Sequence, residues 1–331
     1  MILTLGKKMA KLLWWRGLSK AVSMLNYKGP EPDQFIKNLV TDLTKIDSLT
    51  KVLGDNPLEP FGAEGSELSV KYYLGENNYS RAIRSFFIDP TPFSKTNKIK
   101  ALPAVNGTVN HKPNEKWFFL NGIGTNEDMA SVNAKMLNKI FKRPITPLHN
   151  PTNGFKNDLL EVAKGRLLNM RTSIAESAKA HIKDELIKME KEITTANAGE
   201  KSTYKIVIIA HSQGGIIISN VVKLLIQDPE CNSLLEHLEI YTFASAHDEY
   251  PSPWATHHKK NFPFTEHFAN DSDYVAEVGV LNNVNKTRGK IYVKSGAGHL
   301  LNYHYLKDFN KGKYEGNDRG SRLYTLRDGN R

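Results

Sequence analysis

The chain contains very little cysteine and no long hydrophobic run. Its 331 residues include one cysteine, Cys231, so no disulfide can form within the chain. A lone thiol favours a reducing compartment, and we interpret Cys231 as a buried structural residue. No stretch reaches the roughly 18 uninterrupted apolar residues of a membrane-spanning helix. We therefore expect a cytoplasmic protein without a transmembrane helix.

Acidic residues are missing from the first 29 positions, which carry six basic residues. The same segment holds Trp14 and Trp15. The apolar run at 12–15 is too short for the core of a signal peptide. We predict that residues 1–28 form a basic amphipathic segment suited to an anionic membrane surface, which would make the protein a peripheral membrane protein. The alternative is an N-terminal arm packed on the domain.

Signals for nucleic-acid and metal sites are also lacking. The net charge of +10 favours anionic partners in general. However, there is no zinc-finger spacing, no RNP-like motif and no arginine-rich run. The histidines are scattered, without a ligand pair at helical spacing beside an acid. We expect no nucleic-acid partner, no metal and no cofactor.

The composition is that of a globular protein, since 40% of the residues are hydrophobic and 24% are charged. In the second half, apolar β-branched runs alternate with helical patterns. Strands are predicted at 117–120, 144–149, 204–210, 238–243, 265–270 and 289–294. Helices are predicted at 129–141, 170–196, 214–227 and 303–309. This alternation indicates an α/β fold, a mostly parallel central sheet with helices on both faces.

The pattern divides the chain into four parts. Residues 1–28 are the basic segment, and residues 29–115 form a loop-rich N-terminal extension packed on the core. Residues 116–310 form the α/β domain, and residues 311–331 are predicted to be a polar tail.

A serine follows the predicted central strand at once, because residues 210–214 read Ala-His-Ser-Gln-Gly. This run resembles the nucleophile elbow G-x-S-x-G, a turn so sharp that the positions two before and two after the serine must be small. Ala210 and Gly214 meet that requirement. We interpret His211 as a structural residue whose side chain points away from the site. Residues 116–309 thus resemble the α/β-hydrolase superfamily, in particular its lipase and esterase branch.

The resemblance implies a catalytic triad in the chain order serine, acid, histidine. Ser212 would be the nucleophile. Lipases of this fold often carry Asp-x-Val at this place, and Asp273-Tyr274-Val275 matches that pattern. Asp273 is therefore the expected acid, and Asp271 is the alternative. A glycine-rich loop after a strand leads to His299, the expected base, and His304 is the alternative. His257 and His258 flank another loop and are expected at the surface or in a lid.

The resemblance also implies an oxyanion hole, which binds the negative oxygen of the transition state. One donor would be the N–H of Gln213 at the start of the next helix. The second would come from residues 120–124, Leu-Asn-Gly-Ile-Gly, which resemble the His-Gly-x-Gly turn of lipases. Asn121 replaces that histidine, and Gly122 precedes Ile123, whose N–H would be the donor. Asn121 could instead orient the loop, and an ordinary glycine turn is the other reading.

Residues 244–264 form a proline- and aromatic-rich insertion beside the expected site. We predict a lid or an acyl-binding wall, with a packed surface loop as the alternative. Together with the basic N-terminus, it favours a serine hydrolase that cleaves a small-molecule or lipid acyl ester through an acyl-enzyme. The alternatives are a thioesterase or other acyl hydrolase, and a membrane-associated non-catalytic scaffold.

Overall fold

The computed structural model describes residues 53–54, 59–69, 98–107, 112–151, 168–251, 261–314 and 320–330. The predicted membrane-binding segment 1–28 lies outside the described residues, and so does the middle of the insertion, residues 252–260. The predicted catalytic residues all lie within the described ranges.

Seven strands of the described chain form one sheet. They are β1 Lys100–Ala101, β2 Glu115–Leu120, β3 Ile145–His149, β4 Lys205–His211, β5 Leu238–Phe243, β6 Phe264–Ser272 and β7 Lys290–Ala297. Their order across the sheet is β1-β3-β2-β4-β5-β6-β7. Strand β1 runs antiparallel to β3, whereas every other neighbouring pair is parallel. The carboxyl ends of the parallel strands therefore lie at one edge, where ligands bind in open α/β sheets.

The described chain has seven α-helices, of which the second to the fifth lie between parallel strands. They are α1 Glu59–Gly62, α2 Glu127–Phe141, α3 Leu168–Thr195, α4 Gln213–Gln227, α5 Tyr274–Ala276, α6 Lys307–Asn310 and α7 Arg322–Thr325. Two π-helical segments, Glu277–Leu281 and Leu301–Leu306, follow α5 and precede α6. Short 3-10 turns complete the described helical structure at Lys201–Thr203, Asn232–His237, Val284–Lys286 and Arg327–Gly329. Among the described helices, none is both long enough and apolar enough to cross a bilayer.

The central strand β4 is buried on both faces, as its β-branched sequence predicts. Ile206 and Ile208 pack with apolar side chains of α3 and α4. Val207 and Ile209 point to the other face, where they pack with α2 and the helices near the C-terminus. The sheet thus has a core on each side, which is the predicted α/β architecture of a mostly parallel sheet with helices on both faces.

Cys231 lies in the core beside α3 and α4 and is fully buried. Burial raises the pKa of its thiol to about 11. The thiol therefore stays protonated at neutral pH and behaves as a small apolar group. This environment agrees with the structural reading of Cys231.

The predicted elements agree with the observed ones to within a few residues, and the departures have local causes. Helix α2 begins at Glu127, two residues before the predicted start, because the Asn126 side chain accepts a hydrogen bond from the Met129 N–H at 2.8 Å and caps it. The strand β1 lies inside the segment predicted as loop-rich. Two residues are too few to show an alternating pattern, so the sequence does not reveal it.

The predicted polar tail contains packed structure. Helix α7 lies within residues 311–331, and its Leu323 is fully buried. The carboxylate of Glu266, on β6, accepts hydrogen bonds from the N–H groups of Arg322 and Leu323 at 2.7 and 3.2 Å and from the Ser321 hydroxyl at 2.8 Å. A buried acid in the sheet therefore fixes the start of α7. This part of the tail packs against the core and does not extend away from it.

Candidate active site

Ser212 occupies a strained backbone position between β4 and α4. Its φ of 56° and ψ of −121° lie outside the regions favoured by residues with a Cβ. The next strand holds this conformation, because the Ser212 N–H donates to the Phe243 carbonyl at 3.0 Å. The Ser212 carbonyl accepts from the N–H groups of Gly215 at 2.9 Å and Ala246 at 3.2 Å. This strand–turn–helix has the geometry of a nucleophile elbow.

Two glycines allow the loop after β2 to lie directly on this turn. A Cβ on Gly122 would lie 2.5 Å from the Ser212 Cβ and 3.1 Å from its Oγ. A Cβ on Gly214 would lie 2.5 Å from the Leu120 carbonyl oxygen. The sequence motif predicts a small residue at 214 because of crowding within the turn. The structure gives an additional reason, since the neighbouring strand β2 occupies the space that a side chain would need.

Asp273 and His299 form a buried pair. The two Asp273 carboxylate oxygens lie 2.8 and 3.1 Å from the His299 Nδ1. Asp273 is completely buried, and His299 is almost so. The Tyr305 hydroxyl donates to the same carboxylate at 2.6 Å, and the Val275 N–H donates to it at 2.9 Å. Such donors keep a buried carboxylate satisfied and fix the side of the imidazole that faces it.

Asp271, the alternative acid, lies elsewhere. It is exposed and accepts hydrogen bonds from the Gly296 N–H at 3.0 Å and from the Ser295 and Ser272 hydroxyls at 2.8 and 2.9 Å. The bond from the Gly296 N–H is the largest cause that lowers the pKa of Asp271. Asp271 therefore shapes the loop that leads to His299, whereas Asp273 bonds to the imidazole itself.

His211 lies within the site, so the prediction that its side chain points away from the site is wrong. Its Nε2 is 2.9 Å from the His299 carbonyl oxygen, and the two imidazole rings are 4.7 Å apart. Burial lowers the pKa of His211 well below its usual range, so the ring is neutral and donates to that carbonyl. The residue before Ser212 thus holds the backbone of the residue expected to be its base. It is structural as predicted, but it acts within the site.

A network of side-chain amides joins the two predicted parts of the oxyanion hole. The Asn121 Oδ1 accepts from the Asn150 N–H at 2.8 Å, and its Nδ2 donates to the Gly122 and Asn150 carbonyls at 2.8 and 3.1 Å. The Asn150 Nδ2 donates to the Gln213 Oε1 at 2.8 Å. Asn121 therefore orients its own loop, and Asn150 links that loop to the start of α4.

The other sequence candidates have different positions. The Nδ1 of His304, the alternative base, accepts from the Leu300 N–H at 3.0 Å, and burial lowers its pKa to about 4. His257 and His258 lie outside the described residues. At the described ends of the insertion, Tyr250 is buried, and the Arg288 guanidinium lies 4.1 Å from the centroid of the Phe262 ring. These ends of the predicted lid, residues 244–264, pack on the domain, whereas its middle, residues 252–260, is not described.

Sequence reasoning missed Tyr305 and Asn150. The Tyr305 contact to Asp273 spans 32 residues, and a tyrosine in a helix carries no local signal of such a contact. Asn150 had a weak signal, because it directly follows a strand predicted to be parallel. The carboxyl ends of parallel strands meet at one edge, so polar residues at those positions are site candidates.

Known proteins share parts of this architecture. Residues 174–254, from α3 through β5 and including Ser212, match a family described as "putative serine esterase (DUF676)". No curated protein matches the chain.

Several solved structures are similar to the chain at low identity. The Francisella virulence factor BioJ has 11% identity, a TM-score of 0.42 and an alignment over 78% of this chain and 98% of that one. Dienelactone hydrolase from Anabaena variabilis has 14% identity and a TM-score of 0.36 over 66% and 96%. A lipase-esterase related protein from Clostridium acetobutylicum has 12% identity and a TM-score of 0.35 over 65% and 97%.

The strand–turn–helix at Ser212 lies within the matched residues. The chain has an α/β fold with a mostly parallel sheet, and its residues 174–254 are similar to a family of putative serine esterases.

Proposed function

We propose that the protein hydrolyses carboxylic esters by a triad of Ser212, His299 and Asp273. One observation carries the proposal. The Asp273 carboxylate lies 2.8 Å from the His299 Nδ1, while the His299 ring lies beside the residue that precedes a strained serine. Asp273 orients the imidazole and stabilises its charged form, which leaves Nε2 for proton transfer.

The proposed reaction has two steps. The Ser212 Oγ attacks the ester carbonyl while His299 accepts its proton, and His299 then protonates the leaving alcohol. The N–H groups of Gln213 and Ile123 bind the oxyanion. As the first residue of α4, Gln213 has an N–H that needs no partner inside the helix, and the helix dipole adds positive potential there. Water then attacks the acyl carbonyl with His299 again as the base. The bond between the acyl carbon and the Ser212 Oγ breaks, His299 returns the proton to Oγ, and the carboxylic acid leaves.

Hydrolysis of p-nitrophenyl esters tests this proposal. We expect the wild type to turn over and Ser212→Ala to lose at least about a thousandfold in kcat, in the range of triad deletions. Ser219→Ala is the matched control, since Ser219 is a buried serine on α4 and bonds to the Glu249 carbonyl at 2.5 Å. Full activity in Ser212→Ala, or inactivity of the folded wild type on every ester tried, would contradict the proposal.

The substrate that we favour is a lipid ester at a membrane surface. Its support is the sequence of residues 1–28, which combines six basic residues and no acid with two tryptophans. We expect longer acyl chains to be cleaved faster than short ones. We also expect deletion of residues 1–28 to weaken binding to anionic vesicles and to leave hydrolysis of soluble esters unchanged. Cleavage of short soluble esters alone, with vesicle binding unaffected by the deletion, would refute the lipid assignment.

A further inference from the structure

Glu67 is a buried acid from the N-terminal extension that bonds to a distant part of the chain. Its Oε1 accepts from the Asn302 N–H at 3.1 Å and its Oε2 from the Tyr303 N–H at 3.2 Å. Both donors lie in the first turn of the continuous helical segment 301–310, which joins Leu301–Leu306 and α6. First-turn N–H groups have no partner within a helix, so a carboxylate there satisfies them and complements the helix dipole.

The helical segment 301–310 carries two parts of the proposed active site. It starts two residues after His299, so the position of its first turn sets where the imidazole lies. Four residues into the segment, the Tyr305 hydroxyl donates to the Asp273 carboxylate at 2.6 Å. A shift of this segment would therefore move His299 and loosen Asp273 together.

Further contacts brace the same segment. The Asn133 Nδ2, on α2, donates to the Asn302 Oδ1 at 2.9 Å, which ties the first turn to the domain. His304 accepts from the Leu300 N–H at 3.0 Å on one side of its ring. On the other side, the ring bonds to the Leu53 backbone and lies so close to Gly54 that a Cβ there would be 2.9 Å from Nε2. The N-terminal extension thus contacts the segment at two separate points.

We propose that Glu67 is a positioning residue for the catalytic pair His299 and Asp273, and that residues 53–54 and 59–69 act as a brace for the helical segment behind them. This inference rests on the proposed function. Glu67 does not touch the reacting atoms. It sets the start of the segment, and through that start it holds the imidazole and the Tyr305 hydroxyl in place.

The test compares two buried glutamates that cap helices in the same way. Glu67→Gln keeps the size of the side chain but turns an NH2 group toward one of the two N–H donors. Glu266→Gln makes the same change at the start of α7, where Glu266 caps Arg322 and Leu323. Both variants are expected to lower the urea midpoint of unfolding, because both disturb a cap and a buried acceptor.

Only Glu67→Gln should change the active site. We expect its kcat on a p-nitrophenyl ester to fall about tenfold with KM within about twofold, the pattern of a misplaced catalytic group. The downfield NMR signal of the His299 Nδ1 proton, assigned by its loss in His299→Gln, should shift or broaden. In Glu266→Gln, kcat and that signal should stay as in the wild type.

A folded Glu67→Gln with wild-type kcat and an unchanged His299 signal would overturn the proposal. Equal losses of kcat in Glu67→Gln and Glu266→Gln would overturn it as well, because the effect would then follow stability alone. If Glu67→Gln does not fold, Asn133→Ala replaces it, because the Asn133 Nδ2 donates to the Glu67 Oε1 at 3.5 Å and to the Asn302 Oδ1 at 2.9 Å. An unchanged kcat and His299 signal in that variant would refute the positioning role of Glu67. The NMR signal reports the geometry of His299 even if Ser212→Ala shows that the proposed esterase function is wrong, so the two failures are distinguishable.

Discussion

Replacing Tyr305 with Phe removes one hydroxyl from the wall of the site and leaves the ring in place. That hydroxyl donates to the Asp273 carboxylate at 2.6 Å and accepts from the Asn270 N–H at 3.1 Å. Both partners are fully buried. A hydrogen bond to a charged group contributes about 1.5–3 kcal/mol, and an unsatisfied buried N–H costs about 1–3 kcal/mol. We expect Tyr305→Phe to lower the free energy of unfolding by about 3 kcal/mol, since such terms add incompletely.

Tyr305→Phe should also lower the rate of ester hydrolysis. Asp273 keeps its bonds to His299 and to the Val275 N–H but loses the second donor to Oδ2, the oxygen nearer the imidazole. We expect kcat to fall about tenfold, which corresponds to about 1.4 kcal/mol of transition-state stabilisation. The phenol acts as a donor throughout the usual pH range, because burial and the nearby Asp273 charge raise the pKa of Tyr305 well above its ordinary value.

Tyr314→Phe is the matched control. The Tyr314 ring stacks on Tyr305 at 6.2 Å, and its hydroxyl donates to the neutral Asn270 Oδ1 at 2.6 Å. Loss of this neutral bond should cost about 1 kcal/mol of stability and leave kcat within about twofold. Urea denaturation and steady-state hydrolysis measure both quantities. A Tyr305→Phe protein as stable and as active as the wild type would refute the reasoning, and so would an equal loss of kcat in Tyr314→Phe.

Three other predictions concern the acid, the loop after β2 and a buried histidine of β6. Asp273→Asn should lower kcat by about four orders of magnitude, as loss of an orienting acid does, whereas Asp271→Asn should keep most activity. If steady-state kinetics gave the opposite ranking, Asp271 and not Asp273 would be the acid of the triad. Gly122→Ala should abolish labelling by a fluorophosphonate, because the new Cβ would lie 2.5 Å from the Ser212 Cβ. Labelling at the wild-type rate would contradict this steric argument, since the loop would then have moved to make room for the methyl group. Burial lowers the pKa of His267 to about 4 from its ordinary 6.5. The stability that the neutral ring contributes is therefore complete above about pH 6.5 and is lost as the pH falls toward about 4. At pH 5 the free energy of unfolding should be lower by about 2 kcal/mol from this group. Urea denaturation at about pH 7.5 and 5 should show a smaller pH dependence in His267→Gln, and an identical dependence in both proteins would contradict this value.

The elements that the sequence predicts well are those with strong local patterns. Strand β4 has a long β-branched run, and residues 210–214 have a motif with a steric reason for each small position. Strand β1 is too short to carry a pattern. The start of α7 is set by Glu266, which lies 55 to 57 residues earlier in the chain, so local sequence does not reveal it.

In the candidate site, too, the residues with a local motif are predictable from the sequence and the others are not. Ser212, Asp273 and His299 each lie in a local motif, at the end of a strand or in a loop that follows one. Their supporting residues do not, because each acts through a contact between distant parts of the chain. The bond from the Asn302 N–H to Glu67 spans 235 residues, and a single sequence shows no trace of such a pairing.

The central claim is that Ser212 is the nucleophile, and identification of the modified residue tests it most directly. The purified full chain would be treated with a fluorophosphonate and digested, and the labelled peptide would be sequenced by mass spectrometry. We predict one adduct, on Ser212, which disappears in Ser212→Ala and forms far more slowly in His299→Gln. An unlabelled but folded wild type, or an adduct on another serine that persists in Ser212→Ala, would contradict the account.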